Sequence, residues 1–136
     1  MPSSNIKIIT ICGSMEFKNE MLEAYQDLSL AHNLVFLPVF MNRSIADIHE
    51  KALLKDIHIE KIEKSDIIVV VNVDGEIGED TAYEIRRASS LGKKIVFMYQ
   101  KYKLQDRYAG DPPGYDYELS DTYKQLIIPS KVVLIK

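Results

Sequence analysis

Residues 67–85 read IIVVVNVDGEIGEDTAYEI. The five Ile and Val residues that open this stretch predict a strand buried on both faces, as in the interior of a parallel sheet. An acidic loop with two glycines follows, and it runs directly into a predicted helix that carries Glu84. In open α/β sheets, ligands bind beyond the carboxyl ends of the strands, where such loops lie. The stretch therefore predicts both a parallel sheet and the edge of that sheet where a site is expected.

Strands and helices alternate along the rest of the chain. Residue periodicity predicts further strands at residues 6–12, 34–37, 94–99 and 131–135, and helices at residues 17–33, 48–64, 79–91 and around 120–126. This alternation predicts an α/β fold: a doubly wound parallel five-stranded sheet, order 2-1-3-4-5, with helices on both faces. In this order the loop at Gly13 and the loop at residues 74–80 meet in one crevice.

Two details of the helices follow from residue type. The segment Ser44 to Asp47 resembles a helix N-cap signal, and either Glu79 or Asp80 is suited to cap the helix that carries Glu84. The apolar residues of the second helix are expected to be buried, and they are Ile48, Ala52, Leu53, Ile57 and Ile62.

The composition is that of an ordinary soluble protein. The 136 residues suit one domain, spanning 1–136, and 46% of them are hydrophobic while 27% are charged. A net charge of -3 without a basic cluster argues against nucleic acid as a partner. No apolar run approaches the ~20 residues of a membrane span, and no signal peptide is recognised. The single cysteine, Cys12, excludes an internal disulfide, so we expect a cytoplasmic protein.

Two loops offer groups that bind ligands. Backbone N–H groups at Gly13 and Ser14 suit an anion at a helix N-terminus, although Ser14 suits a simple helix cap equally well. The loop acids suit sugar hydroxyls or a divalent ion, although solvated acids are the commoner case, and they are Asp74, Glu76, Glu79 and Asp80. Cys12 is most simply a core residue beside the first of these loops.

Glu84 and His58 are the candidates for chemistry. Glu84 follows the N-terminus of its helix, where the helix dipole favours an ionised carboxylate that can attack an anomeric carbon. The alternative is a surface glutamate paired with Arg86 or Arg87. His58 can transfer a proton near neutral pH, or be an ordinary helix-surface histidine. Three dispersed histidines and one cysteine show no zinc-binding pattern, so no metal site is predicted.

Three ordered motifs, at residues 11–15 (ICGSM), 58–67 (HIEKIEKSDI) and 74–85 (DGEIGEDTAYEI), resemble the nucleoside 2-deoxyribosyltransferase-like superfamily. The resemblance covers residues 6–99 and implies a flavodoxin-like fold. It also implies N-glycosidic bond cleavage or deoxyribosyl transfer on a deoxyribonucleoside or its 5'-monophosphate. In this family Glu84, within Tyr83-Glu84-Ile85, corresponds to the nucleophile. No cofactor is implied, and assembly as a dimer or larger homo-oligomer is expected.

The candidate site combines both lines of reasoning. Glu84 and His58 are assigned to catalysis, and the residues assigned to substrate binding are Cys12, Gly13, Ser14, Asp74, Gly75, Gly78, Asp80 and Thr81. The chain departs from the family pattern at Glu16, His58 and Gly78. These departures favour, as the alternative, a non-catalytic nucleotide- or nucleoside-binding protein of the same fold.

Overall fold

A computed structural model describes residues 6–99, 103–104, 117–118 and 120–128. The strands, numbered along the chain, are β1 (Ile8–Gly13), β2 (Leu34–Phe36), β3 (Ile67–Val71), β4 (Glu76–Ile77), β5 (Lys94–Phe97), β6 (Lys103–Leu104) and β7 (Tyr117–Glu118). The helices are α1 (Lys18–Leu30), α2 (Ile48–Glu63), α3 (Glu79–Ser90) and α4 (Ser120–Leu126). Two single-turn 3-10 helices, Met15–Phe17 and Val73–Gly75, follow β1 and β3.

The main sheet is parallel throughout, with strand order β2-β1-β3-β5-β7. The two-residue strands β4 and β6 form a separate parallel pair. The predicted fold class, a doubly wound parallel sheet with helices on both faces, is confirmed. The strand predicted at residues 131–135 lies outside the described residues, and β7 is the strand beside β5.

Successive side chains of the central strands point to opposite faces, so each strand supplies two hydrophobic layers. On one face, Ile9, Val69 and their neighbours pack with residues of α1 and α4. On the other face, Cys12 and Val70 pack with residues of α2 and α3. The apolar runs of β1 and β3 are continuous because both faces of the sheet are covered.

The predicted buried face of α2 is largely wrong. Ile48 is 84% exposed, and Ala52, Leu53 and Ile57 are exposed as well. Of the predicted residues only Ile62 is buried, and His58, which was not predicted to be buried, turns inward with it. The reason is that α2 packs against α3 and β1, so its apolar side chains that point away from these elements stay exposed.

One predicted cap is confirmed and the other is wrong. Asp47 caps α2, because its Oδ1 accepts a hydrogen bond from the Glu50 N–H at 2.9 Å. The N-cap of α3 is Gly78, which has no side chain to accept such a bond. Glu79 and Asp80 lie in the first turn, where their charges complement the helix dipole without capping the helix.

Candidate active site

The end of β1 approaches β3 so closely that a side chain there would be in tight contact with β3. Gly13 lies opposite Val71 in the sheet register. A Cβ at Gly13 would come 3.1 Å from the Val71 carbonyl oxygen. Ser14 then begins the 3-10 helix, with its Oγ accepting a hydrogen bond from the Glu16 N–H at 3.4 Å. Of the two roles considered for Ser14, the structure shows the cap.

Three predicted site residues from three different elements lie together just before this turn. Cys12 comes from β1, His58 from α2 and Glu84 from α3. The Cys12 Sγ lies 3.6 Å from the His58 Nε2, and that nitrogen lies 3.7 Å from the Glu84 Oε1. The ligating atoms of all three lie within 4.8 Å of one another. These residues, Cys12, His58 and Glu84, are called the trio below.

The trio is removed from solvent to different degrees. Cys12 is fully buried, and the His58 side chain is 7% exposed. Glu84 is the most accessible, with a side chain that is 18% exposed. Arg87, one of the two surface partners that the sequence allowed for Glu84, donates a hydrogen bond to the Glu63 Oε2 at 2.9 Å.

Burial raises the pKa of Glu84 to about 8. A hydrogen bond with the Cys12 thiol and the charge of Lys55 lower it, and the charge of Asp80 raises it, but burial dominates. The expectation that the helix dipole keeps this carboxylate ionised is therefore wrong. A dipole contributes about 0.3–1 kcal/mol at an exposed site, whereas a shift of this size corresponds to about 5 kcal/mol.

The pKa of His58 is shifted in the opposite direction. Burial, together with the charge of Lys61, lowers its pKa to about 4. The imidazole is therefore neutral at neutral pH, and the predicted proton transfer by His58 near pH 7 is not favoured. Its Nδ1 is buried and has no hydrogen-bond partner among the described residues. Burial also raises the pKa of the Cys12 thiol.

At neutral pH the trio therefore consists mainly of a carboxylic acid, a thiol and a neutral imidazole. The Glu84 proton is not passed to His58, because the imidazole is the much weaker base. Once ionised, Glu84 is an incompletely solvated carboxylate, which is a stronger nucleophile than one in water. The arrangement can thus supply either a proton or, in the ionised form, an attacking oxygen.

The other predicted binding residues of α3 and its N-terminus differ in their exposure and contacts. Asp80 lies one turn before Glu84, with a side chain that is 66% exposed and an Oδ1 that is 3.8 Å from the Lys55 Nζ. Thr81 is buried, and an added Cβ at Gly78 would meet nothing within 4 Å. Gly78 is therefore not required by packing.

The turn after β3, which carries two further predicted binding residues, lies beside Tyr99. Asp74 and Gly75 both have left-handed backbone angles, with φ of 56° and 81°. Burial raises the pKa of Tyr99, and the charges of Glu20 and Glu23 of α1 and of Asp74 raise it further. Asp74 and Gly75 therefore lie on the turn beside Tyr99, and their predicted role in substrate binding stays a prediction.

Asn72, which is not among the predicted site residues, holds this turn in place. It is fully buried, and its Oδ1 accepts a hydrogen bond from the Tyr99 N–H at 3.0 Å. Its Nδ2 donates to the Tyr99 carbonyl oxygen at 3.4 Å. The available signal was a polar amide directly after five apolar residues, because a buried amide requires partners.

A groove of about 690 Å³ lies between α2 and α3. Apolar side chains form much of its lining, among them Leu53, Ile57 and Tyr83. The trio is not among the residues that line this groove. We therefore place the candidate chemistry at the trio.

The trio also offers a thiol, an imidazole and a carboxylate, which are all metal ligands. The sequence predicted no metal site because it shows no closely spaced ligand motif. Cys12 and His58 are separated by 46 positions, and only the fold brings them into contact.

The fold is similar to that of a known 2-deoxyribosyltransferase. The 2-deoxyribosyltransferase from Bacillus psychrosaccharolyticus matches with a TM-score of 0.65 at 16% sequence identity, over 93% of this chain and 94% of that chain. A conserved protein from Enterococcus faecalis gives a TM-score of 0.49 at 19% identity, over 95% of this chain and 94% of that chain. No protein-family model and no curated protein matches the sequence. Within the described parts of the chain, no helix has the length and apolar character needed to cross a membrane. The resemblance to nucleoside 2-deoxyribosyltransferases that the motifs indicate is thus confirmed at the level of the fold.

Proposed function

We propose that this protein cleaves or transfers across the N-glycosidic bond of a deoxyribonucleoside or its 5'-monophosphate, with Glu84 as the nucleophile. One observation carries the proposal. The Glu84 carboxyl group, removed from most solvent, lies against Cys12 at the carboxyl end of β1. In doubly wound sheets this is the edge where ligands bind. The shared fold with a 2-deoxyribosyltransferase supports the same activity.

The proposed reaction has two steps. An ionised Glu84 oxygen forms a bond to C1' while the bond from C1' to the base nitrogen breaks, and the electron pair leaves with the base. The departing base takes a proton from water. Water or a second base then attacks C1' and loses a proton to solvent, which releases the Glu84 carboxylate and gives either free deoxyribose or a new nucleoside, with the 5'-phosphate retained where the substrate carries one.

We assign His58 a positioning role rather than that of the acid which protonates the leaving base. At neutral pH its ring carries a single N–H, and it stays neutral because its pKa is near 4. Its Nε2 faces both the Cys12 Sγ and the Glu84 Oε1. The ring therefore restricts where the Glu84 carboxyl group can lie. Loss of His58 should lower kcat more than it raises KM, because the ring acts through Glu84.

The substrate is proposed to lie beyond the ends of β1 and β3, which are neighbours in the sheet. Residues on both sides of this edge are the proposed contacts, and they are Cys12, Gly13, Ser14, Asp74, Gly75, Gly78, Asp80 and Thr81. We also expect a homo-oligomer, which light scattering of the purified protein would test.

The test measures, by chromatography, the release of free base from deoxyribonucleosides and their 5'-monophosphates. The reaction is run with and without a second base. Glu84→Gln keeps the shape of the side chain but removes the nucleophile, so base release should fall at least about 1,000-fold. Glu60→Gln is the matched control, since it removes an exposed carboxylate from α2. Base release that persists in Glu84→Gln would contradict the mechanism.

A further inference from the structure

In the trio, a sulfur, a nitrogen and an oxygen atom that can each bind a metal lie close together. In a tetrahedral zinc site with usual bond lengths, two ligand atoms lie about 3.3–3.6 Å apart. The distance from the Cys12 Sγ to the His58 Nε2 is 3.6 Å, and that from this nitrogen to the Glu84 Oε1 is 3.7 Å. Two of the three separations are therefore close to those that a bound ion would impose, and all three atoms lie within 4.8 Å of one another.

The charge of the trio also suits a divalent cation. A thiolate at Cys12 and a carboxylate at Glu84 would be two negative charges in a buried space, without a cation among the three side chains to offset them. An ion with charge +2 offsets both, and the neutral imidazole adds no charge. On binding, the S–H and O–H bonds are replaced by bonds to the metal, and both protons pass to solvent.

We propose that Cys12, His58 and Glu84 form a binding site for Zn²⁺ or a similar thiophilic divalent cation. Three protein ligands leave the fourth position for water, as in zinc sites that are not purely structural. The mixed sulfur, nitrogen and oxygen donors favour Zn²⁺ over Mg²⁺ or Ca²⁺, which prefer oxygen alone. Glu84, with a side chain that is 18% exposed, is the most accessible of the three ligands.

The binding is expected to be reversible. Histidines that ligate zinc usually donate their second ring N–H to a fixed acceptor, and losing that partner costs about 10–100-fold in affinity. In the described parts of the chain the His58 Nδ1 has no such partner. A bound ion would also occupy the Glu84 oxygen, so it should inhibit base release. This inhibition, unlike the binding itself, rests on the proposed function.

Cobalt provides a direct test. Co²⁺ bound to a thiolate gives a sulfur-to-metal charge-transfer band, and Cys12 is the only cysteine in the chain. Titration of reduced, metal-free protein with Co²⁺ should give this band with one ion per chain, and Zn²⁺ should displace it. Cys12→Ser should abolish the band, while His58→Gln and Glu84→Gln should each weaken Co²⁺ binding at least about tenfold. His49→Gln, on the exposed surface of α2, is the matched control and should bind as the wild type does.

Zn²⁺ should also raise the thermal unfolding temperature of the wild type but not that of Cys12→Ser. Two results would overturn the proposal. One is the absence of a charge-transfer band in folded wild-type protein, and the other is a band that neither His58→Gln nor Glu84→Gln weakens. If the protein gives the band with Co²⁺ but releases no base when it is metal-free, the metal site stands and only the proposed function is removed.

Discussion

The Oε1 of Glu84 lies 3.7 Å from the Nε2 of His58, and the pKa values of the two groups are displaced in opposite directions. Burial disfavours the charged form of each group, so it raises the pKa of the acid and lowers that of the base. Between about pH 4 and pH 8 the pair is therefore mostly uncharged. The pair is close enough for an ion pair but is not expected to form one.

The activity of the metal-free protein should depend on the ionisation of Glu84. If the ionised form attacks C1', kcat/KM should rise about tenfold per pH unit below pH 8 and level off above it. The measurement is a pH profile of base release in the presence of a chelator. A profile that instead falls above pH 8 would mean that the protonated acid is the active form.

Two neighbours of Glu84 should move this profile in opposite directions. Asp80 raises the pKa of Glu84 and Lys55 lowers it. Asp80→Asn should therefore move the rise in kcat/KM to lower pH, and Lys55→Met should move it to higher pH. Identical profiles for both variants would show that the rise belongs to another group.

Glu84→Gln should alter how stability depends on pH. The carboxyl group has a pKa near 4.5 when unfolded and about 8 when folded, so the native state binds its proton more tightly. This contribution is fully present below pH 4.5 and is lost as pH rises to 8, by at most about 1.4 kcal/mol per pH unit. Relative to the wild type, the metal-free variant should gain stability over this range. Urea unfolding at a series of pH values measures the difference, and a difference independent of pH would contradict the burial of this acid.

His58→Gln should show the opposite dependence. The imidazole has a pKa near 6.5 when unfolded and about 4 when folded, so its contribution is present above pH 6.5 and is lost as pH falls to 4. Lys61 adds to this effect through its charge. The metal-free variant should therefore gain stability relative to the wild type as the solution is acidified. An equal loss of stability in both proteins on acidification would place the titrating group elsewhere.

Two glycines of the candidate site should respond differently to substitution. Gly13→Ala introduces a methyl group 3.1 Å from the Val71 carbonyl oxygen and should destabilise the protein by about 1–3 kcal/mol. Gly78→Ser meets no atom within 4 Å and supplies an N-cap to α3, so it should stabilise by a few tenths of a kcal/mol. Urea unfolding of both variants measures the contrast, and equal destabilisation would contradict the packing at β1.

Features with local causes could be predicted from the sequence. The apolar run at Ile67–Val71 is β3, Asp47 caps α2, and the short helix expected near residue 120 is α4. The approach of Glu84 to the end of β1 also followed, because parallel strands bring their carboxyl ends to one edge.

Features set by packing could not be predicted in the same way. The periodicity of α2 suggested a buried face with Ile57, whereas contact with α3 and β1 selected the face with His58. The ionised state that the sequence predicts for Glu84 is wrong for a related reason. The helix dipole can be inferred from position along the helix, but the larger effect of burial depends on residues distant in the sequence.

The most direct test of the central claim is the mass of the protein after acid quench during reaction with a deoxyribonucleoside. An increase by one deoxyribosyl group, mapped to the peptide that contains Glu84 and absent in Glu84→Gln, is the result we expect. Release of base by the wild type with an adduct on another peptide, or undiminished release by Glu84→Gln, would contradict the assignment of Glu84 as the nucleophile.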